Sequence, residues 1–174
     1  RKLVMSVKIV PYIEALVGEV KSFNARLKEG GASFKFPEET VPRWLPKVED
    51  RKIYQEYFLA VDGSSVVGGY IIKHQEFSFK ETTRSIGFLQ LPLSEGIVNK
   101  DYGLVGVLVL ADALRRLPVM YALGMGSYDE PIVKVLQAMG CSTYSVPLYF
   151  KVNHPWGFFR NIQALRKSKL RRLL

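Results

Sequence analysis

The chain has 174 residues, 48% of them hydrophobic, and a net charge of +9. That suits one soluble globular domain with a sizeable core and excludes a wholly disordered chain. A single cysteine, Cys141, excludes an intramolecular disulfide and a cysteine-built zinc site, and the longest apolar run, Tyr102 to Ala111, is too short to span a bilayer.

The first predicted element is a strand from Leu3 to Val10, where Met5, Val7 and Ile9 alternate with their neighbours. Pro11 then opens a helix whose apolar residues Ile13, Leu16, Val17, Val20 and Leu27 recur at helical spacing, and Gly30-Gly31 ends it. Residues 32–50 carry Pro37, Pro42 and Pro46 and read as an irregular segment. A hairpin follows. Glu56 to Val61 and Val66 to Phe77 flank "DGSS", and Asp62-Gly63 supplies the positive φ that a tight turn needs. A third strand, Thr82 to Leu93, pairs antiparallel with the second, and Pro92 marks an end, an edge or a bulge.

After the loop "SEGIVNKDYG", Leu104 to Leu117 form a helix apolar nearly all round, expected to be buried against a sheet. "VMYALGM" is a further strand. "DEPIVKVLQAMG" is a further helix, with Asp129 as its N-cap, Pro131 in its first turn and Gly140 as a left-handed stop. "STYSVPLYFKV" supplies one or two closing strands around Pro147. The order of strands and helices describes an α+β fold, a mixed and mostly antiparallel sheet with helices on both faces. Residues 1–153 form the domain and 154–174 a basic, helical tail. The tail carries six of the nine net positive charges, Arg160 to Arg172, and no acid. So little charge on the body argues against nucleic acid as a partner. The tail reads either as a cationic amphipathic helix on an anionic membrane or as a terminal helix packed on the domain.

The hairpin "YFLAVDGSSVVGGYII", the run "LQLPLSEGIVNKDYGLVGVLVLADAL" and "VMYALGMGSYDEPIVKVLQAMGC" together resemble the GNAT family of acyl-CoA-dependent N-acyltransferases, over roughly Leu3 to Val152. The resemblance implies acetyl-CoA or another acyl-CoA as co-substrate, an amine as acceptor and a cytoplasmic enzyme. It implies that the strand around Leu89, Gln90 and Leu91 bonds the pantetheine arm. It places the pyrophosphate on the loop and helix start at Lys100, Tyr102, Gly103, Leu104, Val105 and Gly106, where unpaired N–H groups and the helix dipole favour an anion. The family's loop has Gln or Arg, two residues, Gly, one residue, then Gly or Ala. Here one register reads Lys100, Gly103, Val105 and the other Asp101, Leu104, Gly106. The family's acidic Tyr, four residues before the late Gly, is Leu136 here. Tyr128, Tyr144 and Tyr149 are substitutes in residue type.

No carboxylate lies between Thr82 and Leu93, so a general base comes from Glu95, His74 or Glu76, with Glu95 first and His74 second. Phe34, Phe36 and Trp44 are expected to line the acceptor cleft. Gly124-Met-Gly126 is half of a dinucleotide fingerprint and reads as a tight corner rather than a phosphate cradle. The competing reading is a GNAT-like fold without catalysis, acting as a binding or scaffold module. The acceptor, a small-molecule or protein amine, and the oligomeric state are left open by the sequence.

Overall fold

A computed structural model describes residues 6–147, 149 and 151–161. Residues 1–142 and 143–174 form separate compact units. In the first unit the elements run β1 (Val7–Pro11), a 3-10 turn (Glu14–Leu16), α1 (Val17–Glu29), β2 (Tyr54–Asp62), β3 (Ser65–Phe79) and β4 (Thr82–Ser94). Two 3-10 turns (Glu95–Ile97, Lys100–Tyr102), α2 (Val105–Arg116), β5 (Met120–Ala122) and α3 (Pro131–Ala138) follow. The second unit contributes α4 (Pro155–Asn161).

The five strands lie in sequence order. The first three pairings are antiparallel and β4–β5 is parallel. This is the mixed, mostly antiparallel sheet expected from the element order. Alternation along β3 explains why the sheet is covered on both faces. Val67, Tyr70 and Ile72 join Leu89 and the α2 residues Val105, Val109 and Leu110 in one core. Val66 and Ile71 join Val20, Phe23 and Leu27 of α1, with Phe36, in the other. Side chains two apart on a strand share a face, and the register shift opposite Ala60 and Val61, which leaves Val67 unpaired, switches the face between Val66 and Gly68, so a single strand feeds both layers. Gly68 admits the start of α2: a Cβ there would lie 2.9 Å from Val105 Cγ1.

The hairpin turns where expected, with Asp62 paired to Ser65 and Gly63 at φ 62°. Gly140 stops α3 at φ 85°, also as expected. Other expectations are corrected. Pro11 does not open a helix; it is the last residue of β1, opposite Phe58, on an edge strand where its missing N–H costs nothing. The part of the first predicted strand before Ser6 lies outside the described residues. The N-cap of α3 is Glu130, not Asp129. No strand occurs among the described residues from Cys141 to His154; Tyr144, Val146 and Tyr149 there are exposed. The helix read as apolar all round is two-faced: Val105, Val109, Leu110 and Ala113 are buried, while Leu104, Leu108 and Ala111 face water.

Residues 32–53 carry no helix or strand, as the prolines suggested. Asn24, buried on α1, anchors them. Its Nδ2 donates to Phe36 O at 2.9 Å and to Glu38 Oε1 at 3.1 Å, and its Oδ1 accepts from Phe36 N at 2.8 Å. In the second unit α4 begins at Pro155, where His154 O accepts the N–H of Phe158 at 3.0 Å. The tail from Ile162 onward, and with it the amphipathic-helix expectation, lies outside the described residues.

Candidate functional site

Three β4–β5 pairs, Gly87–Met120, Phe88–Tyr121 and Leu89–Ala122, complete the parallel ladder. The Phe88 and Tyr121 rings stack at 4.8 Å and close it. Beyond Leu89, β4 continues to Ser94 alongside β3 only. Its outer edge there has no strand partner among the described residues, which leaves its backbone groups open to water or a ligand. In the same stretch β4 bulges: the register with β3 shifts between Gly69 and Ile71, and Leu91 sits at φ 49°. A leucine in the left-handed region is strained, and bulges of this kind gather beside functional sites, where they re-aim the chain.

The start of α2 packs on the end of this free edge. A Cβ at Gly106 would lie 3.7 Å from Ser94 Cβ. The N-cap Leu104 makes no side-chain bond, and the first turn holds no acidic residue. The helix start therefore keeps its positive end and its amide donors available to an anion. Gly103 and Lys100, just before it, are exposed. Tyr102 turns aside and donates to Asp62 Oδ2 at 3.2 Å. Of the residues expected to hold the cofactor, Leu89 and Val105 share the α2-side core, Leu91 packs in the α1-side core, and Gly106 lies by Ser94; the Val105 side chain is fully buried.

The two base candidates are elsewhere engaged. Glu95 follows β4 and is 5% exposed. Its Oε2 accepts from Arg26 Nη2 at 2.7 Å and Nε at 3.0 Å, and Arg26 Nη2 also donates to Val66 O at 2.6 Å. Glu95 thus ties α1 to the turn below the free edge. His74 pairs with Gly87, before the divergence, and stacks on Tyr54 at 4.4 Å. Its Nε2 lies 2.8 Å from Glu56 Oε2 without an aligned hydrogen bond. Burial holds its pKa below 6.5, outweighing the pull of Glu56. Glu76 is paired with Lys52 at 3.0 Å. Of the aromatic residues expected to line the acceptor cleft, Phe36 is core, fully buried, while Phe34 and Trp44 are exposed.

Sequence reasoning missed the buried polar groups along β2, β3 and β4. Gln55 and Gln75 are buried on the α1 face of the sheet. Gln55 Nε2 donates to Gln90 Oε1 at 2.7 Å, and Gln75 Nε2 donates to Tyr121 Oη at 2.6 Å. Period-2 alternation in β2 and β3 was the available signal: a glutamine at an inward position must find a partner. Gly124 and Gly126 follow β5 at φ 71° and 96°, the left-handed region that favours glycine. Among the described residues, no group of three or more metal-ligating side chains occurs, and no helix is long and apolar enough to cross a membrane.

No protein-family model and no curated protein matches the sequence. Solved structures do. An aminoglycoside acetyltransferase from an uncultured soil metagenomic sample, in complex with sisomicin, aligns at TM-score 0.58 and 14% identity, over 86% of this chain and 98% of that one. A GNAT family acetyltransferase of Staphylococcus aureus aligns at TM-score 0.54 and 13% identity, over 85% and 100%. A transcriptional regulator from Bacillus halodurans C-125 aligns at TM-score 0.59 and 11% identity, over 84% and 99%. With a mixed five-stranded sheet whose fourth strand runs on beyond its pairing with the short fifth, and with these neighbours, the chain has the fold of the GNAT acetyltransferases.

Proposed function

We propose that the protein is an acyl-CoA-dependent N-acyltransferase acting on a small-molecule amine. One observation carries this reading: the free edge of β4 beyond Leu89 and the uncapped start of α2 meet at one end of the sheet. A strand edge offers the alternating donors and acceptors that an amide-containing pantetheine arm needs. A helix start with no competing carboxylate offers amides and dipole to a pyrophosphate, and Lys100 adds a point charge. The loop therefore suits the ligand through its backbone, although its side chains depart from the family's pattern.

The acyl thioester then lies by Gln90 and Leu91. The acceptor nitrogen attacks the carbonyl carbon, the C–N bond forms, the C–S bond breaks, and CoA leaves as thiolate. Neither carboxamide of the Gln55–Gln90 pair can take the ammonium proton, and Glu95 is held by Arg26. The ammonium accordingly loses one proton to water before attack, and the nitrogen's second proton passes to water or to the departing thiolate as the C–S bond breaks. Glu95 acts as a positioning residue, fixing the turn between the β4 edge and α2. The rate should follow the fraction of neutral amine, rising with pH toward the acceptor's own pKa.

The neighbour solved with sisomicin supports a small, amine-bearing acceptor. Titration calorimetry with acetyl-CoA and CoA, followed by thiol release with a panel of amines, tests the reading. Binding near micromolar and amine-dependent release of CoA are expected; no heat up to about 1 mM CoA contradicts it.

A further inference from the structure

Gln90 is the first residue of β4 past its last pairing with β5. It precedes Leu91, whose left-handed φ of 49° re-aims the strand. Its side chain lies on the α1 face of the sheet, with that of its partner Ile71. Gln90 Oε1 accepts from Gln55 Nε2 at 2.7 Å. Gln55 is 9% exposed, and its backbone N–H is fixed on Leu45 O at 2.8 Å. The bond crosses β3: Gln55 pairs with Lys73, and Lys73 with Phe88, two residues before Gln90. A carboxamide has one acceptor oxygen and one donor nitrogen. With its oxygen taken by Gln55, the group Gln90 has left to offer is Nε2–H. Gln90 is half-buried, and its Nε2 has no partner among the described residues, so this donor is open to water or a ligand.

We propose that Gln90 Nε2–H donates to the carbonyl oxygen of the acyl thioester, and that Gln55 is the positioning residue that keeps this donor, and not the amide oxygen, turned outward. This rests on the acyltransferase reading, which sets the thioester by Gln90. The amine's lone pair forms the C–N bond while the carbonyl π pair moves onto oxygen. That pair returns as the C–S bond breaks, CoA leaves as thiolate, and the nitrogen's proton passes to water or to the thiolate. Between the two events the oxygen carries the charge, and an oriented donor aimed at it is worth about 100-fold or more in rate. A glutamine free to flip would present its own oxygen there as readily and repel that charge. Gln55, buried and reaching over a whole strand to meet one carboxamide oxygen, removes this freedom. Glu95 does not compete for the donor, because its carboxylate is held by Arg26.

Isotope-edited infrared spectra of the full chain with carbonyl-labelled acetyl-CoA read this bond directly. Transfer is read with hydroxylamine, an amine uncharged near neutrality that needs neither a base nor a shaped acceptor pocket. Acetyl-CoA bound to the wild type should show its carbonyl stretch at lower frequency than free acetyl-CoA. Gln90→Glu keeps the side chain's length and the bond from Gln55 but offers no donor. It should return the stretch to the free position and slow hydroxylamine transfer about 100-fold or more, with melting temperature and calorimetric acetyl-CoA affinity close to wild type. Gln55→Leu should return the stretch part of the way and slow transfer about tenfold. Added to Gln90→Leu, the same change should slow transfer no further, because Gln55 acts only through Gln90. The double variant also leaves no carboxamide unpaired, which keeps the comparison on a folded chain. If acetyl-CoA binds but its stretch is the same in wild type and Gln90→Glu, Gln90 does not touch the carbonyl; the inference falls and the acyltransferase reading stands. If the wild type gives no heat with acetyl-CoA, both fall.

Discussion

Arg26 on α1 and Glu95 after β4 stand 69 positions apart and meet at one carboxylate oxygen, with Nη2 at 2.7 Å and Nε at 3.0 Å. The pair joins the helix on one face to the turn that leads into the proposed acyl-CoA site. Its cost and purpose follow from burial. Glu95 has a side chain 7% exposed and Arg26 one 35% exposed, so removing one partner strands the other's charge.

Glu95→Gln should lower stability by about 3 kcal/mol in urea unfolding, the low end for a broken buried pair because Arg26 keeps some water. Acyl transfer per folded molecule should fall less than about tenfold. A general base would show the reverse: stability nearly intact and transfer down by about 100-fold or more.

Gly106→Glu separates helix stability from anion binding. A Cβ there meets only Ser94, at 3.7 Å, an ordinary contact. Replacing a helical glycine and adding a negative charge to the first turn should together stabilise α2 by about 1 kcal/mol. The same charge should repel a pyrophosphate. A higher melting temperature with acetyl-CoA binding weakened about tenfold or more is expected by thermal melting and calorimetry. Unchanged acetyl-CoA affinity would remove the helix start from the site.

Asp112, buried on α2, accepts from Tyr70 Oη at 2.5 Å, from Arg116 Nε at 2.7 Å and from Arg115. Burial alone would raise its pKa, but the bonds from Tyr70, Arg116 and Arg115 outweigh it and hold the carboxyl below 3.8. A folded pKa below the unfolded one gives stability that is present above 3.8 and lost as pH falls through the lowered value. The Tyr70 phenol has the opposite sign. Burial first, then Asp112, raise it above 10.0, so its contribution is full below 10.0 and lost as pH rises beyond it. Asp112→Asn should lose about 3 kcal/mol at neutral pH and show a flatter acid limb in urea unfolding; Tyr70→Phe should flatten the alkaline limb. Unaltered limbs would mean that these groups keep ordinary pKa values.

His74 has a folded pKa below 6.5, caused first by burial. The unfolded chain therefore binds this proton more readily, and stability is lost as pH falls from 6.5 through the lowered value. Imidazole NMR shifts should titrate on the acid side of 6.5, and His74→Gln should leave the pH–rate profile of transfer unchanged in shape. Loss of an inflection in that profile would restore His74 as a base.

The sequence carries the sheet more readily than the chemistry. The β2–β3 hairpin is legible because Asp62-Gly63 marks the turn and two strands' worth of β-branched and aromatic residues flank it. β4 is legible because Pro92 flags the bulge beside Leu91. Pro11 misleads, since a proline suits a helix start and a strand edge equally. The closing strands around Pro147 misled because alternation alone cannot supply a partner. Asp112 sits in an apolar helix and shows nothing of Tyr70, 42 positions away. Glu95 stands where a base would be useful, but its partner Arg26 is distant in sequence. Buried polar pairs of this kind are settled by tertiary contacts, which periodicity does not record.

The central claim, that the open edge of β4 and the start of α2 hold an acyl-CoA, is tested most directly by backbone amide NMR of the isotope-labelled chain titrated with acetyl-CoA. Shifts concentrated at Leu89, Gln90 and Leu91 and at Leu104 to Val107, saturating in the micromolar range, are expected. Saturating shifts confined to other parts of the sheet, or none at about 1 mM, would contradict it.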